Sequence, residues 1–243
     1  LHWMDATTAE FLHLMVEQCL ADRVLSLLTF RPEFQPRWNH RVNQTQVALN
    51  RLTRRQTAEL IEARSGLKDI PAELVDQLAA RTDGVPLFIE EFTRTVMESG
   101  VIRSEDGKLQ LGSVPLNTIP SSLSDLLMAR VDRIAGTREL IQLGAALGRE
   151  FSYEMLHAVA PHDEASLQRE LAKLVDADIL YPKGLPSNRS YVFKHALIQD
   201  AAYLSLVRTK RQHLHRSIAR VLEEKFPARA EAQPEWVAHH HTE

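Results

Sequence analysis

Arg31 stands at the end of an almost continuous apolar run, Val24-Leu25-Ser26-Leu27-Leu28-Thr29-Phe30. Such a run has the pattern of a strand buried on both faces of a parallel sheet. Open α/β sheets bind ligands beyond the carboxyl ends of their strands, so a guanidinium placed there could reach an anion. Gly84-Val85-Pro86 is a second candidate. A Gly-x-Pro turn between helices lets backbone approach a neighbour closely, and a helix start turns free N–H groups outward. The same residues also suit an ordinary helix–helix turn. Glu90 and Glu91 are adjacent on the following helix and diverge, which disfavours paired acid–base work. His213 and His215, two apart, face different ways on a helix. The run His239-His240-His241 resembles a tag more than a specific site, and no metal site is expected. No G-x-x-x-x-G-K-[ST] occurs, so a phosphate-cradling loop of that type is not encoded.

The 243 residues are 44% hydrophobic and 25% charged, the composition of a globular chain of one or two domains. Nine glycines are few for that length. The single cysteine, Cys19, excludes an internal disulfide and sits among Leu14, Met15, Val16 and Leu20, as on a buried helix face. With no leader and no membrane-length apolar run visible, a cytoplasmic protein with no membrane partner is expected. A net charge of −3 argues against bulk nucleic-acid binding. It hides an asymmetry, because Lys183, Arg189, Lys194, Arg208, Lys210, Arg211, Arg216 and Arg220 face only Asp200 between Tyr181 and Arg220. The chain starts at Leu1 and stops at Glu243 without a terminating turn, and it is expected to be a piece of something longer.

The elements that must position these residues change in texture along the chain. Thr7 and Glu10 have capping-box spacing before an apolar helix, and Gln46-Val47-Ala48-Leu49 suggests a second short strand. Helices without strands follow over 53–63, 71–81 and 86–99, with Asp83-Gly84 as stop and Pro86 as restart. Asp106-Gly107 marks a hairpin within 101–111. From Ile119 the pattern predicts helices over 123–133, 137–147, 153–160 and 164–177, then a hairpin around 182–190 and one long helix over 197–225. Helices followed by a hairpin are the order of a winged helix-turn-helix.

Four segments occur in order: Leu1-His2-Trp3-Met4-Asp5, Leu28-Thr29-Phe30-Arg31-Pro32-Glu33, Gly84-Val85-Pro86-Leu87-Phe88-Ile89-Glu90-Glu91, and Phe193-Lys194-His195-Ala196-Leu197-Ile198-Gln199-Asp200-Ala201-Ala202-Tyr203. Together they resemble the STAND branch of AAA-like signalling ATPases, as fused to class III adenylate/guanylate cyclases or found in large transcriptional activators. The resemblance implies a mainly α protein with a partial α/β P-loop NTPase core, a helical lid and a winged helix-turn-helix. The implied divisions are 1–52 for the latter part of the core and 53–118 for the lid. They continue with 119–225 for the winged-helix domain and its following helix, and 226–243 for the start of tetratricopeptide-like repeats. It implies that Arg31 is a sensor-like arginine facing a γ-phosphate. Gly84 and Pro86 match the lid motif on the nucleotide, and His195 matches a histidine that touches the ADP β-phosphate. Lys194 and Ala196 depart from the family's flanking Met and Asp. Asp5 is expected to cap a helix rather than to serve as the Walker B acid.

The function implied is a regulatory ATP/ADP switch, with Mg²⁺, in a multidomain signalling protein coupled to a cyclase-type effector. The fragment itself is expected to be inactive and to hold nucleotide weakly. Effector domains or proteins docking on the repeats would be its partners. A winged-helix DNA-binding part of a transcriptional regulator and a helical protein-interaction scaffold are the rivals. Against the first of these, the candidate recognition helix carries Arg169 and Lys173 against Glu164, Glu170 and Asp176.

Overall fold

The computed structural model describes residues 4–18, 25–31, 34, 45–67, 70–99, 102–105, 108–111, 119–185 and 188–243. The chain divides into two compact units, Leu1–Asn50 and Arg51–Glu243.

The first unit contains α1 (Ala6–Gln18). Its cap is Asp5: the Thr8 amide donates to Oδ1 at 2.9 Å and the Thr8 hydroxyl to Oδ2 at 2.6 Å. These two bonds hold the Asp5 carboxyl below its usual range. The cap is thus Asp5, as expected from the resemblance, and not the Thr7–Glu10 box. Residues 25–31 and 45–50 form no strand, and Leu25, Leu27, Val47 and Leu49 are exposed. An apolar run buries both faces only where neighbouring strands pair with it, and no such strand is present among the described residues of this unit. Val24 and Cys19 lie outside the described residues.

The second unit opens with α2 (Arg54–Ser65), α3 (Ala72–Thr82) and α4 (Pro86–Glu98). Local chemistry sets these boundaries. Thr53 and Gln56 form a capping box at the start of α2, and Gly66 closes it at φ 70°. Ile61, Leu74, Val75, Leu78, Phe88, Ile89, Phe92 and Val96 pack into one core, completed by Ile119 and Leu126. Strands β1 (Ile102–Glu105) and β2 (Lys108–Leu111) pair antiparallel, Ile102 opposite Leu111. The turn at Asp106-Gly107 lies outside the described residues.

A second core begins within α5 (Leu123–Asp132), whose Leu126 serves the first core and whose Leu127 and Val131 serve the next. There follow α6 (Arg138–Leu147), β3 (Glu150–Ser152), α7 (Tyr153–Val159), α8 (Glu164–Asp176), β4 (Leu180–Lys183) and β5 (Ser190–Phe193). The small antiparallel sheet has the order β3-β5-β4, with Phe151 opposite Tyr191 and Leu180 opposite Phe193. Strand β3, only three residues long, was not foreseen from the sequence.

The expected single helix over 197–225 is two: α9 (Ala196–Leu204) and α10 (Arg208–Lys225). The Ser205 hydroxyl donates to the Ala202 carbonyl and accepts from Gln142 Nε2 at 2.8 Å, which favours a break at that point. Helices α11 (Pro227–Ala232) and α12 (Pro234–Thr242) finish the chain, and α12 packs on α10. The protein is mostly helical, and no helix among the described residues is long and apolar enough to cross a membrane.

Candidate functional site: a charged junction between two cores

The Gly84 turn is shaped by close approach to the chain's own backbone. Asp83 and Gly84 both lie in the left-handed region, at φ 49° and 67°. The Leu52 amide donates to the Gly84 carbonyl at 2.8 Å, and Arg51 pairs with the Asp83 carboxylate. A Cβ at position 84 would stand 2.5 Å from the Leu52 carbonyl oxygen, so glycine is required sterically as well as conformationally. At the helix start the Val85 N–H bonds to the Thr82 carbonyl, and Pro86 occupies the first turn. The close approach expected of this turn is therefore present, and its occupant is Leu52.

Just past the first turn of α4 the adjacent acids diverge, as their spacing requires, and each finds its own cation. Glu90 accepts from Arg64 of α2 at 2.7 Å near the surface. Glu91, 4% exposed, pairs with Arg130 of α5, 9% exposed, at 2.5 Å. Arg130 also donates to the Ala177 carbonyl at the end of α8. Burial pushes the Arg130 pKa down while Glu91 opposes that shift. A guanidinium nonetheless keeps its proton in a protein, so the junction holds a true ion pair.

The same region receives the loop that precedes α9. Asp178, at φ 63°, pairs with Lys194, which holds the Asp178 carboxyl below the usual carboxylate range. The Lys194 N–H donates to the Ile179 carbonyl at 3.0 Å, and His195 follows as the half-buried N-cap of α9. Desolvation, then the neighbouring Lys194 charge, lower the His195 pKa, while Glu91 and Glu90 pull it up. His195 therefore lies within electrostatic reach of both acids on α4. The Gly84–Glu91 and Phe193–Tyr203 segments both border this region, because α4 and α9 each pack on α5, whose Arg130 pairs with Glu91. Arg130 was missed by sequence reasoning, since its pairing with Glu91 spans 39 residues.

Arg31 belongs to the first unit, is exposed, and accepts a turn hydrogen bond on its carbonyl from Phe34 N–H at 3.0 Å. Chemically, the junction is suited to holding rather than to proton transfer. Its three acids are each engaged by a cation, and burial pushes the His195 imidazole below its ordinary range.

Residues 53–110 match a family described as a domain of unknown function (DUF8739). That stretch runs from the cap of α2 into β2 and so contains the Gly84 turn and both acids. The chain is also 28% identical over 221 residues to an uncharacterized protein of Rhizobium meliloti (strain 1021). The matched part takes in 89% of this chain and 21% of that protein, so the chain spans a small part of its relative's length.

Proposed function

We propose that this chain is the coupling part of an ATP/ADP-dependent switch in a longer signalling protein of STAND type, with a cyclase-type effector as its output. The Glu91–Arg130 pair carries the reading. It joins α4, which carries the glycine-proline segment that the resemblance puts on a nucleotide, to α5, on which the His195 helix α9 packs. A ligand shifts two arrangements only through differential contact with them, and a buried ion pair is a discrete contact that is either made or broken.

The described residues do not by themselves fit Mg²⁺ or a triphosphate. Leu52 fills the Gly84 approach, and Glu90 and Glu91 are spent on Arg64 and Arg130. The chain is accordingly assigned the latch, with Gly84, Pro86 and His195 facing nucleotide held by the longer protein, and Arg31, in the first unit, is assigned a separate sensor-like role. The order α6-β3-α7-α8-β4-β5, with its β3-β5-β4 sheet, supports a winged-helix fold for the second core. Helices α11 and α12 would then begin a helical repeat.

Hydrogen exchange on the full-length protein, saturated in turn with ADP and with a non-hydrolysable ATP analogue, tests this. Protection at Gly84–Glu91 and at Phe193–Tyr203 should change together between the two nucleotides. Identical protection in both segments would overturn the switch.

A further inference from the structure

Helices α10 and α12 bring three imidazoles into one cluster away from the charged junction. One ring nitrogen each of His215, His239 and His240 lies within 4.8 Å of the others. The ring centroids of His215 and His240 are 4.9 Å apart, those of His239 and His240 5.2 Å, and those of His215 and His239 5.6 Å. His215 and His240 are both 1% exposed, whereas His239 opens to solvent.

Hydrogen bonding leaves this cluster incomplete. His215 Nδ1 and His240 Nδ1 face each other at 2.7 Å, and His215 Nε2 lies 3.0 Å from the Tyr203 hydroxyl, which donates to Glu243 at 3.2 Å. One proton per ring satisfies that chain if His240 donates to His215 and His215 to Tyr203. His240 Nε2 is then a bare lone pair, buried and with no partner. A buried acceptor left unmatched costs free energy, and an electrophile nearby would remove that cost.

We propose that His215, His239 and His240 form a site for a borderline divalent transition-metal ion of the zinc class, which clamps α12 to α10. Three neutral imidazoles suit zinc, cobalt or nickel, while magnesium and calcium require oxygen ligands that the cluster does not offer. Binding would replace the His240-to-His215 hydrogen bond: His215 Nδ1 would turn its lone pair to the ion while Nε2 keeps its proton on Tyr203. The rings would rotate to the roughly 3.3 Å nitrogen spacing that tetrahedral bonds of about 2.0–2.1 Å require. Solvent at the fourth position fits the exposed side of His239. Because Trp236 packs on His240 and also belongs to the second core, a bound ion would reinforce the end of the chain.

The test uses the chain stripped with EDTA and titrated with Co²⁺, followed by competition with Zn²⁺. One equivalent of Co²⁺ should give the strong visible bands of low-coordinate cobalt, and Zn²⁺ should bleach them. H215Q and the exposed-site variant H239Q should each weaken binding tenfold or more, whereas H241Q should leave it unchanged. H239Q decides the matter if H215Q fails to fold. Binding that survives H215Q or H239Q but is lost in H241Q marks an adventitious histidine run and overturns the site. Only pale, six-coordinate cobalt spectra, or no stoichiometric binding, would also overturn it.

Discussion

Glu91 Oε1 and Arg130 Nη1 meet at 2.5 Å in a setting where both side chains are at least nine-tenths buried. Residues on α4 and α5 are thereby fixed to each other, and through the Ala177 carbonyl to the end of α8. Deleting one partner leaves a buried charge uncompensated, at a cost of about 3–5 kcal/mol. Arg130→Met should therefore lower the urea midpoint strongly, and Glu91→Leu similarly. The double variant should recover much of the loss, because the desolvation penalty disappears with both charges. Additive losses in the double variant would show that the two charges act independently.

Two glycines with nearly the same positive φ separate strain from crowding. Gly66 has φ 70° and nothing within 4 Å of an added Cβ, whereas Gly84 has φ 67° and Leu52 O at 2.5 Å. Gly66→Ala should cost about 1–2 kcal/mol for the left-handed conformation alone. Gly84→Ala adds overpacking of about 1–3 kcal/mol. In thermal unfolding the second should melt several degrees below the first, at about 2–4 °C per kcal/mol for a unit of this size. Equal melting temperatures would mean that the Leu52 backbone yields freely.

Local chemistry made much of this fold legible in advance. Thr53, Gly66, Pro86, Ser122 and Asp163 mark helix ends by side-chain and backbone preferences that act within four residues. What escaped depends on distant partners. The break at Ser205 involves Gln142, 63 residues away, and the 24–30 run has strand chemistry without paired neighbours among the described residues. At the junction the divergence of Glu90 and Glu91 was readable from helix geometry. Arg64 and Arg130, which each acid reaches, were not, since neither lies near in sequence. His215 likewise meets His240 across 25 residues, so the histidine run looked isolated when taken alone.

His195 should be neutral at pH 7. Burial lowers its pKa from the ordinary 6.5, with Lys194 adding to the shift and Glu91 and Glu90 resisting it. Its folded pKa is below its unfolded one, so the unfolded chain binds the proton more readily as pH falls below about 6.5. This group's contribution is complete at neutral pH and fades on acidification until the folded pKa is passed. Proton NMR of the His195 ring should give a midpoint below 6.5, and His195→Gln should reduce the loss of stability between neutral and mildly acidic pH. A midpoint above 7 would show that the acids of α4 outweigh burial.

Arg31 offers a direct check on the nucleotide proposal. Arg31→Ala in the full-length protein should lower ATP hydrolysis or ATP-dependent activation by at least tenfold if its guanidinium faces the γ-phosphate. Because Arg31 is exposed in its own unit, the substitution should leave the helical circular dichroism unchanged. Unchanged rates would remove it from the site.

The basic stretch between Tyr181 and Arg220 makes a further demand on any nucleic-acid reading. Lys183 holds Glu150 at 2.9 Å, Lys210 holds Glu139 at 3.1 Å, and Lys194 holds Asp178, so three of its cations carry acidic partners from outside the stretch. On α8, Arg169 is turned to the Ser166 hydroxyl and Lys173 to the Ala135 carbonyl. Counterion release needs several unshared cations along a phosphate track, and each phosphate contact steepens the salt dependence by about one unit. Duplex DNA should therefore bind this chain weakly, with a shallow salt slope and no sequence preference, as read by fluorescence anisotropy across a salt series. Tight binding with a slope corresponding to six or more phosphates would require these ion pairs to open, and it would favour the nucleic-acid reading over the switch.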